Sequence, residues 1–123
     1  MHGAAPIIFP YELCGTTLLV SPHSELGSLR ENEIHQELDV IMELLQRGPE
    51  LRHIVLDFSG VTYLGTAMLG GIVKLWKKVC NRGGRMALCC VSAPVMDVLR
   101  VTKLHTVWPL HATREAAERS VQS

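Results

Sequence analysis

One hydroxyl in this sequence stands where an added phosphate would be well received. Thr66 lies at or near the start of a predicted helix, after a buried strand, His53–Asp57, and a short loop. The first turn of a helix carries unpaired backbone N–H groups and a partial positive charge, which favour an anion. A phosphate there would add about two negative charges to the surrounding surface. The pattern is that of a phosphorylation switch.

Thr66 and Asp57 each have a plainer interpretation. The Thr66 hydroxyl could serve only as the N-cap of its helix, which contributes about 1 kcal/mol of stability. Asp57, at the end of a strand, could be catalytic. Asx side chains commonly bond to nearby backbone, however, so we expect Asp57 to cap the turn before the helix.

Neighbouring residues supply no set of nucleophile, base and acid. Ser59, Thr62 and Thr66 lie near the loop, whereas His53 is at the far end of its strand, about 15 Å away. The six histidines show no H-x-x-x-H pair, and the glycines match no phosphate-binding loop. We therefore expect no enzyme, no metal site and no cofactor.

The cysteines and a group of lysines are interpreted as structural or solvated. The four cysteines show no C-x-x-C pair and no zinc-ligand spacing, so reduced thiols are expected. A redox sensor, the alternative, would need an exposed, activated thiolate. Cys89 and Cys90 are adjacent in a predicted strand and should point to opposite faces. Lys74, Lys77 and Lys78 fit a solvated helix face, with a phosphate-binding stripe as the alternative.

Strand and helix signals alternate along the chain. Apolar runs at residues 7–11, 16–20, 53–57, 86–91 and 106–110 predict strands, the first two joined by a turn at Cys14-Gly15. Pro10 places the first strand at a sheet edge, where it could run antiparallel. The order β-β-α-β-α-β-α-β-α predicts one α/β domain with a mixed, mainly parallel sheet and right-handed crossovers.

Capping and stop signals bound the four predicted helices. A capping box, Ser28-Leu29-Arg30-Glu31, opens the first, and Gly48-Pro49 ends it. The second begins at or near Thr66 and stops at residues 81–84. Ser92 and Thr113 should cap the third and fourth. The apolar face of the second helix is predicted to comprise Leu69, Ile72, Val73, Trp76 and Cys80.

Composition limits the class of protein. The 123 residues suit one domain, and 47% apolar with 20% charged residues is ordinary for a globular chain. Zero formal net charge argues against a dedicated nucleic-acid binder. No apolar run approaches the roughly 20 residues of a membrane span, and MHGAAPIIFP does not read as a signal peptide. We expect a cytoplasmic protein with a flexible segment at residues 1–5 and one domain at residues 6–121.

Most of the chain resembles a STAS domain, the fold shared by bacterial anti-sigma factor antagonists and the cytoplasmic tails of sulphate transporters. The resemblance rests on the order and spacing of IVLDFSGVTYL (residues 54–64), GTAMLG (65–70) and RGGRMAL (82–88). The segments VLRVTKL, VWPL and TREAA extend it through the tail. It implies a STAS-like single domain with about five strands and four helices.

The resemblance also implies a functional site at the start of the second helix. Family members carry aspartate, serine, serine or threonine, glycine and leucine there, and the first serine, or a threonine, is the phosphoacceptor. Here Thr66 matches the phosphoacceptor, Gly65 replaces the aspartate, and Met68 replaces the glycine. Methionine is enriched at interface cores, so Met68 could assist docking. The partner-binding candidates are His23, Tyr63, Gly65, Ala67, Met68 and Leu69.

A regulatory protein-interaction module is the function that the resemblance implies. The unmodified form would dock on a protein partner, a serine kinase or anti-sigma factor, and phosphorylation would weaken that docking. Two alternatives are a sensor that binds a nucleotide or lipid at the same helix start, and a STAS-like subunit of a membrane transport complex. The sequence leaves open the partner's identity and whether the chain forms a homo-oligomer.

Overall fold

Five strands and four helices alternate in the computed structural model, which describes residues 8–23, 31–48 and 50–122. The strands are β1 Tyr11–Cys14, β2 Thr17–Val20, β3 His53–Asp57, β4 Met86–Cys89 and β5 Leu110–His111. The helices are α1 Glu31–Arg47, α2 Thr66–Asn81, α3 Ala93–Val101 and α4 Arg114–Gln122. Two short 3-10 helices span Phe58–Gly60 and Leu104–Thr106.

The sheet has the order β1-β2-β3-β4-β5. Strand β1 pairs antiparallel with β2 at one edge, and the remaining neighbours are parallel. The predicted α/β class, the mixed and mainly parallel sheet, and the antiparallel edge strand are thereby confirmed.

Both faces of the central strands are covered, as their continuous apolar runs predict. Ile54 and Leu56 join the core formed with α1, α2 and α3, whereas Val55 points to the other face. There it packs with Ala117 and Val121 of α4. Successive strand residues alternate between faces, so a strand between two helical layers is apolar throughout.

The prediction of the first strand from the apolar run at residues 7–11 is wrong. Ile8 and Phe9 are buried in the core, but their backbone N–H groups donate to Oε1 of Glu37 on α1, at 2.8 and 2.9 Å. The Glu37 side chain therefore accepts the hydrogen bonds that a neighbouring strand would otherwise have accepted. Strand β1 begins after Pro10, and the turn lies at Gly15-Thr16 rather than Cys14-Gly15.

The last two strands are shorter than the sequence predicts. Strand β4 ends at Cys89, and Cys90 has a left-handed φ of 61°. Cys90 therefore packs against the same apolar cluster as Cys89, and the prediction of opposite faces is wrong. The apolar signal at 106–110 reflects the burial of Trp108, whose ring meets Trp76 edge to face at 6.1 Å.

Most of the predicted helix boundaries are confirmed. Helix α1 ends at Arg47 and α2 runs from Thr66 to Asn81. The Thr113 hydroxyl accepts a hydrogen bond from the Ala116 N–H at 3.1 Å and so caps α4. Ser92 occupies the N-cap position of α3 without a side-chain hydrogen bond. The Ser28 capping box, Pro49 and the segment at residues 1–5 lie outside the described residues. No helix in the described ranges has the length and apolar character needed to cross a membrane.

Candidate functional site

The segment between β3 and α2 is held by a capped turn and by buried side chains. Asp57 Oδ1 accepts a hydrogen bond from the Ser59 N–H at 2.9 Å, which caps the 3-10 helix as predicted. Phe58, Val61 and Leu64 are buried. These anchors fix the backbone that leads into α2 and leave the residues between them at the surface.

Asp57 also binds the last helix of the chain. Arg114 of α4 donates to Asp57 Oδ2 from Nη2 at 2.7 Å and from Nε at 3.2 Å. Burial raises the pKa of Asp57, but the hydrogen bonds from Ser59 and Arg114 outweigh it and leave the pKa below its ordinary value. Asp57 is therefore an ionised structural group that joins α4 to the start of the loop.

Thr66 is the first residue of α2 and its side chain is exposed. The N-cap is Gly65, whose carbonyl accepts the Leu69 N–H at 2.9 Å. The alternative in which the Thr66 hydroxyl is the N-cap is therefore wrong, because the cap lies one residue earlier. The hydroxyl stands at the surface within the first turn, where helix N–H groups favour negative charge.

Gly65 provides room for an aromatic ring. A Cβ atom at residue 65 would lie 2.8 Å from Cε2 of Tyr63 and 3.3 Å from its hydroxyl oxygen. The Tyr63 ring thus occupies the space that a side chain at residue 65 would need. With 47% of its surface exposed, Tyr63 presents an aromatic group three residues before Thr66 in the chain.

His23 meets the same segment from the loop after β2. Its backbone N–H donates to the Ile8 carbonyl at 2.8 Å, and its ring lies so close to Gly60 that a Cβ there would overlap Nδ1. The loop after β2 therefore lies against the segment between β3 and α2. His23 is exposed beside the 3-10 helix.

Met68 does not belong to the exposed surface. Only 1% of it is accessible, and it packs in the core with Ile72, Leu75 and Val79. Because Met68 is buried, the structure corrects the prediction that this side chain contacts a partner. The buried face of α2 is shifted by about one residue towards the N-terminus relative to the predicted face. Cys80 is therefore exposed. Ala67 and Leu69 are half-buried at the edge of the surface.

Residues 12–117 match the family model for the STAS domain. The chain belongs to the STAS family. The resemblance drawn from the sequence is confirmed, and the match runs from the second residue of β1 to the fourth residue of α4.

Two relatives, and one solved structure of lower identity, are anti-sigma factor antagonists by name. That of Paenibacillus polymyxa is 29% identical over 94 residues, which cover 76% of this chain and 77% of the relative. The STAS domain protein from Planctomyces limnophilus is 27% identical, with a TM-score of 0.78 over 94% of this chain and 98% of that one. Unphosphorylated SpoIIAA of Bacillus has a TM-score of 0.75 at 18% identity, over 91% of this chain and 95% of that one. SpoIIAA shares the fold. The names of the first two favour the regulatory interpretation over a transport subunit or ligand sensor.

A groove opens beside Thr66 in this STAS domain. It has a volume of about 330 Å³ and lies where α1 and α2 pack together. Its lining consists of His35 from α1 and five residues from α2: Thr66, Ala67, Gly70, Gly71 and Lys74. Nothing in the hydropathy pattern marks this groove, because it depends on which faces of two helices meet.

Two thiols lie near Asp57 at the other side of the sheet. Ligand atoms of Asp57, Cys89 and Cys90 all lie within 4.8 Å of one another. Burial, and then the negative charge of Asp57, raise the pKa of Cys89 to about 12, so it stays a thiol. Metals bind the thiolate, and Asp57 is already paired with Arg114. The group therefore suits packing better than metal binding.

Proposed function

We propose that this STAS domain is a regulatory module of the anti-sigma factor antagonist type. It binds a serine kinase or anti-sigma factor through the surface around Thr66, and phosphorylation of Thr66 weakens that binding. The observation that carries the proposal is the exposed hydroxyl at the first residue of α2. We call the surrounding surface the Thr66 face, which comprises His23, Tyr63, Gly65, Thr66, Ala67 and Leu69.

The structure beneath the Thr66 face is well anchored, which supports the use of this face as an interface. The buried residues Phe58 and Leu64, with the Asp57–Arg114 pair, hold the loop in place before any partner arrives. A surface that is already ordered loses less conformational entropy on binding. Tyr63 adds an exposed aromatic side chain, a residue type enriched at interfaces.

A phosphate at Thr66 would act through charge and desolvation. Buried against a partner, about two extra negative charges would have to lose water or find cations. The same phosphate is tolerated in the free protein because it meets the N-terminal turn of α2. A phosphate on Thr66 thus favours the free protein over its complex with the partner.

The glycine at position 65 does not remove the chemistry of phosphorylation. In protein kinases the aspartate that accepts the substrate hydroxyl proton belongs to the kinase. A substrate therefore needs an accessible hydroxyl and a surface that the kinase recognises. On the Thr66 face that recognition would rest on Tyr63, whose ring occupies the space above Gly65.

Affinity capture from native extract tests the proposal. The baits are the wild type, Thr66→Glu and Thr16→Glu, which carries the same charge on an exposed threonine in the β1–β2 turn. We expect the wild type and Thr16→Glu to retain a kinase or anti-sigma factor, Thr66→Glu to lose it, and mass spectrometry to find phosphate on wild-type Thr66. Equal recovery by all three baits, with unmodified Thr66, would contradict the proposal.

A further inference from the structure

The groove between α1 and α2 has a chemistry of its own. Lys74 supplies its cationic group, and the described residues that line it include no carboxylate. Thr66, Gly70 and Lys74 follow one another at four-residue spacing, so they lie along one line of α2. The groove is therefore continuous with the Thr66 face and extends it towards the middle of the helix.

No contact with the described part of the chain explains Gly70. Its neighbour Gly71 has a packing role, since a Cβ there would lie 3.0 Å from Cδ2 of Leu38 on α1. A Cβ at residue 70 would meet nothing within 4 Å, and the residue is exposed. Glycine inside a helix lowers stability relative to alanine. A glycine allows the backbone of another molecule to approach closely.

We propose that this groove receives an acidic segment of the protein partner. Lys74 would face its carboxylates, and Gly70 would let its backbone approach α2. The inference rests on the proposed function and adds the place and charge of the docking segment. It also gives the switch a direct mechanism, because Thr66 lines the same groove and its phosphate would repel an acidic occupant.

Two substitutions separate docking from folding. Gly70→Ala should raise the melting temperature by about 4 °C, because alanine favours the helix and no described residue blocks its methyl group. It should nevertheless weaken partner binding by about tenfold or more. Lys74→Glu should also weaken binding about tenfold, whereas Lys77→Glu, an exposed lysine of α2 outside the groove, should change it less than about twofold.

Site-specific photo-crosslinking in the native cells supplies the partner for these measurements. The full chain would carry a benzophenone amino acid at position 63, 74 or 77 in separate strains. We expect protein adducts from positions 63 and 74 and none from 77, with the position 74 adduct mapping to an Asp/Glu-rich peptide. The purified partner would then be titrated against the variants by calorimetry.

The outcomes distinguish this inference from the proposed function. An adduct from position 63 without one from 74, an adduct at 74 on a segment without acidic residues, or full affinity in Gly70→Ala and Lys74→Glu would overturn the groove inference alone. Absence of adducts from both 63 and 74 would overturn the groove and the Thr66 face together. Equal adducts from 74 and 77 would show unspecific contact and would also overturn the groove.

Discussion

Arg114 binds Asp57 across 57 positions of sequence, with Nη2 and Nε at 2.7 and 3.2 Å from Oδ2. The pair connects α4 to the end of β3, where the loop to Thr66 begins. Since Asp57 also caps that loop through the Ser59 N–H, one carboxylate holds the two elements together. The position of the Thr66 face thus depends on a contact that lies on the opposite side of the sheet from α2.

Loss of this pair should lower stability more than loss of a surface pair. Arg114→Ala would leave the Asp57 carboxylate, only 5% exposed, without its cation. We expect the free energy of unfolding to fall by about 1–3 kcal/mol. Arg47→Ala, which breaks the exposed Arg47–Glu43 pair of α1, should cost less than about 0.5 kcal/mol. Urea unfolding of the two variants checks the difference, and equal losses would contradict the structural role of Arg114.

The Asp57 contribution should depend on pH in a defined direction. Its pKa in the folded protein lies below the ordinary aspartate value of about 3.9. A carboxyl whose pKa is lower in the folded state than in the unfolded state stabilises the folded protein. This contribution is complete at pH values above the pKa of the unfolded state, and it is lost as the pH falls through the pKa of the folded state. The stability advantage of the wild type over Asp57→Asn should therefore be constant from pH 7 to about pH 5 and shrink below about pH 4. Urea midpoints measured along this range test it, and an advantage that grows towards low pH would reverse the sign.

Met68 tests the distinction between core and interface. Met68→Ala should lower the free energy of unfolding by about 2–5 kcal/mol, because the side chain is almost wholly buried. Met68→Leu conserves volume and should cost less than about 1.5 kcal/mol. Calorimetry below the unfolding temperature should find the partner affinity of folded Met68→Leu unchanged. A tenfold loss of affinity in that stable variant would return Met68 to the interface.

Gly65 and Tyr63 should act as a coupled pair. An alanine at residue 65 places a methyl group against the Tyr63 ring and would displace that flexible side chain. Gly65→Ala should therefore weaken partner binding in the wild-type background and have little further effect in Tyr63→Ala. A double-mutant cycle of affinities measures this coupling, and strictly additive effects would show that the two residues act independently.

The thiols should differ in reactivity according to their environment. Cys80 is exposed, whereas Cys89 is buried with a pKa raised to about 12. In native protein at pH 8, iodoacetamide should therefore modify Cys80 first and Cys89 only after unfolding. Mass spectrometry of time points decides the order, and early modification of Cys89 would mean that its cluster opens readily.

Local signals in the sequence were sufficient where the structure depends on neighbours in the chain. Strand β3, the start of α2 at Thr66 and the Thr113 cap follow from apolar runs, capping residues and spacing. The same logic failed at residues 7–11, where burial of Ile8 and Phe9 is achieved without a strand. An apolar run records burial, and burial alone does not determine the backbone conformation.

The parts of the site that sequence could not supply are the long-range contacts. The Asp57–Arg114 pair and the meeting of His23 with Gly60 join residues far apart in the chain. Cys90 leaves the strand through a left-handed backbone conformation, which is uncommon for cysteine and is not predicted by the apolar run. The groove beside Thr66 appears only when α1 and α2 are packed together.

The most direct test of the central claim compares one purified partner with two forms of this protein. The partner recovered by affinity capture would be titrated by calorimetry with the unmodified chain and with the chain phosphorylated at Thr66. We predict that phosphate weakens the affinity by about tenfold or more, equivalent to at least about 1.4 kcal/mol. Equal affinities for the two forms would contradict the account, because Thr66 would then be an exposed helix residue without a switching role.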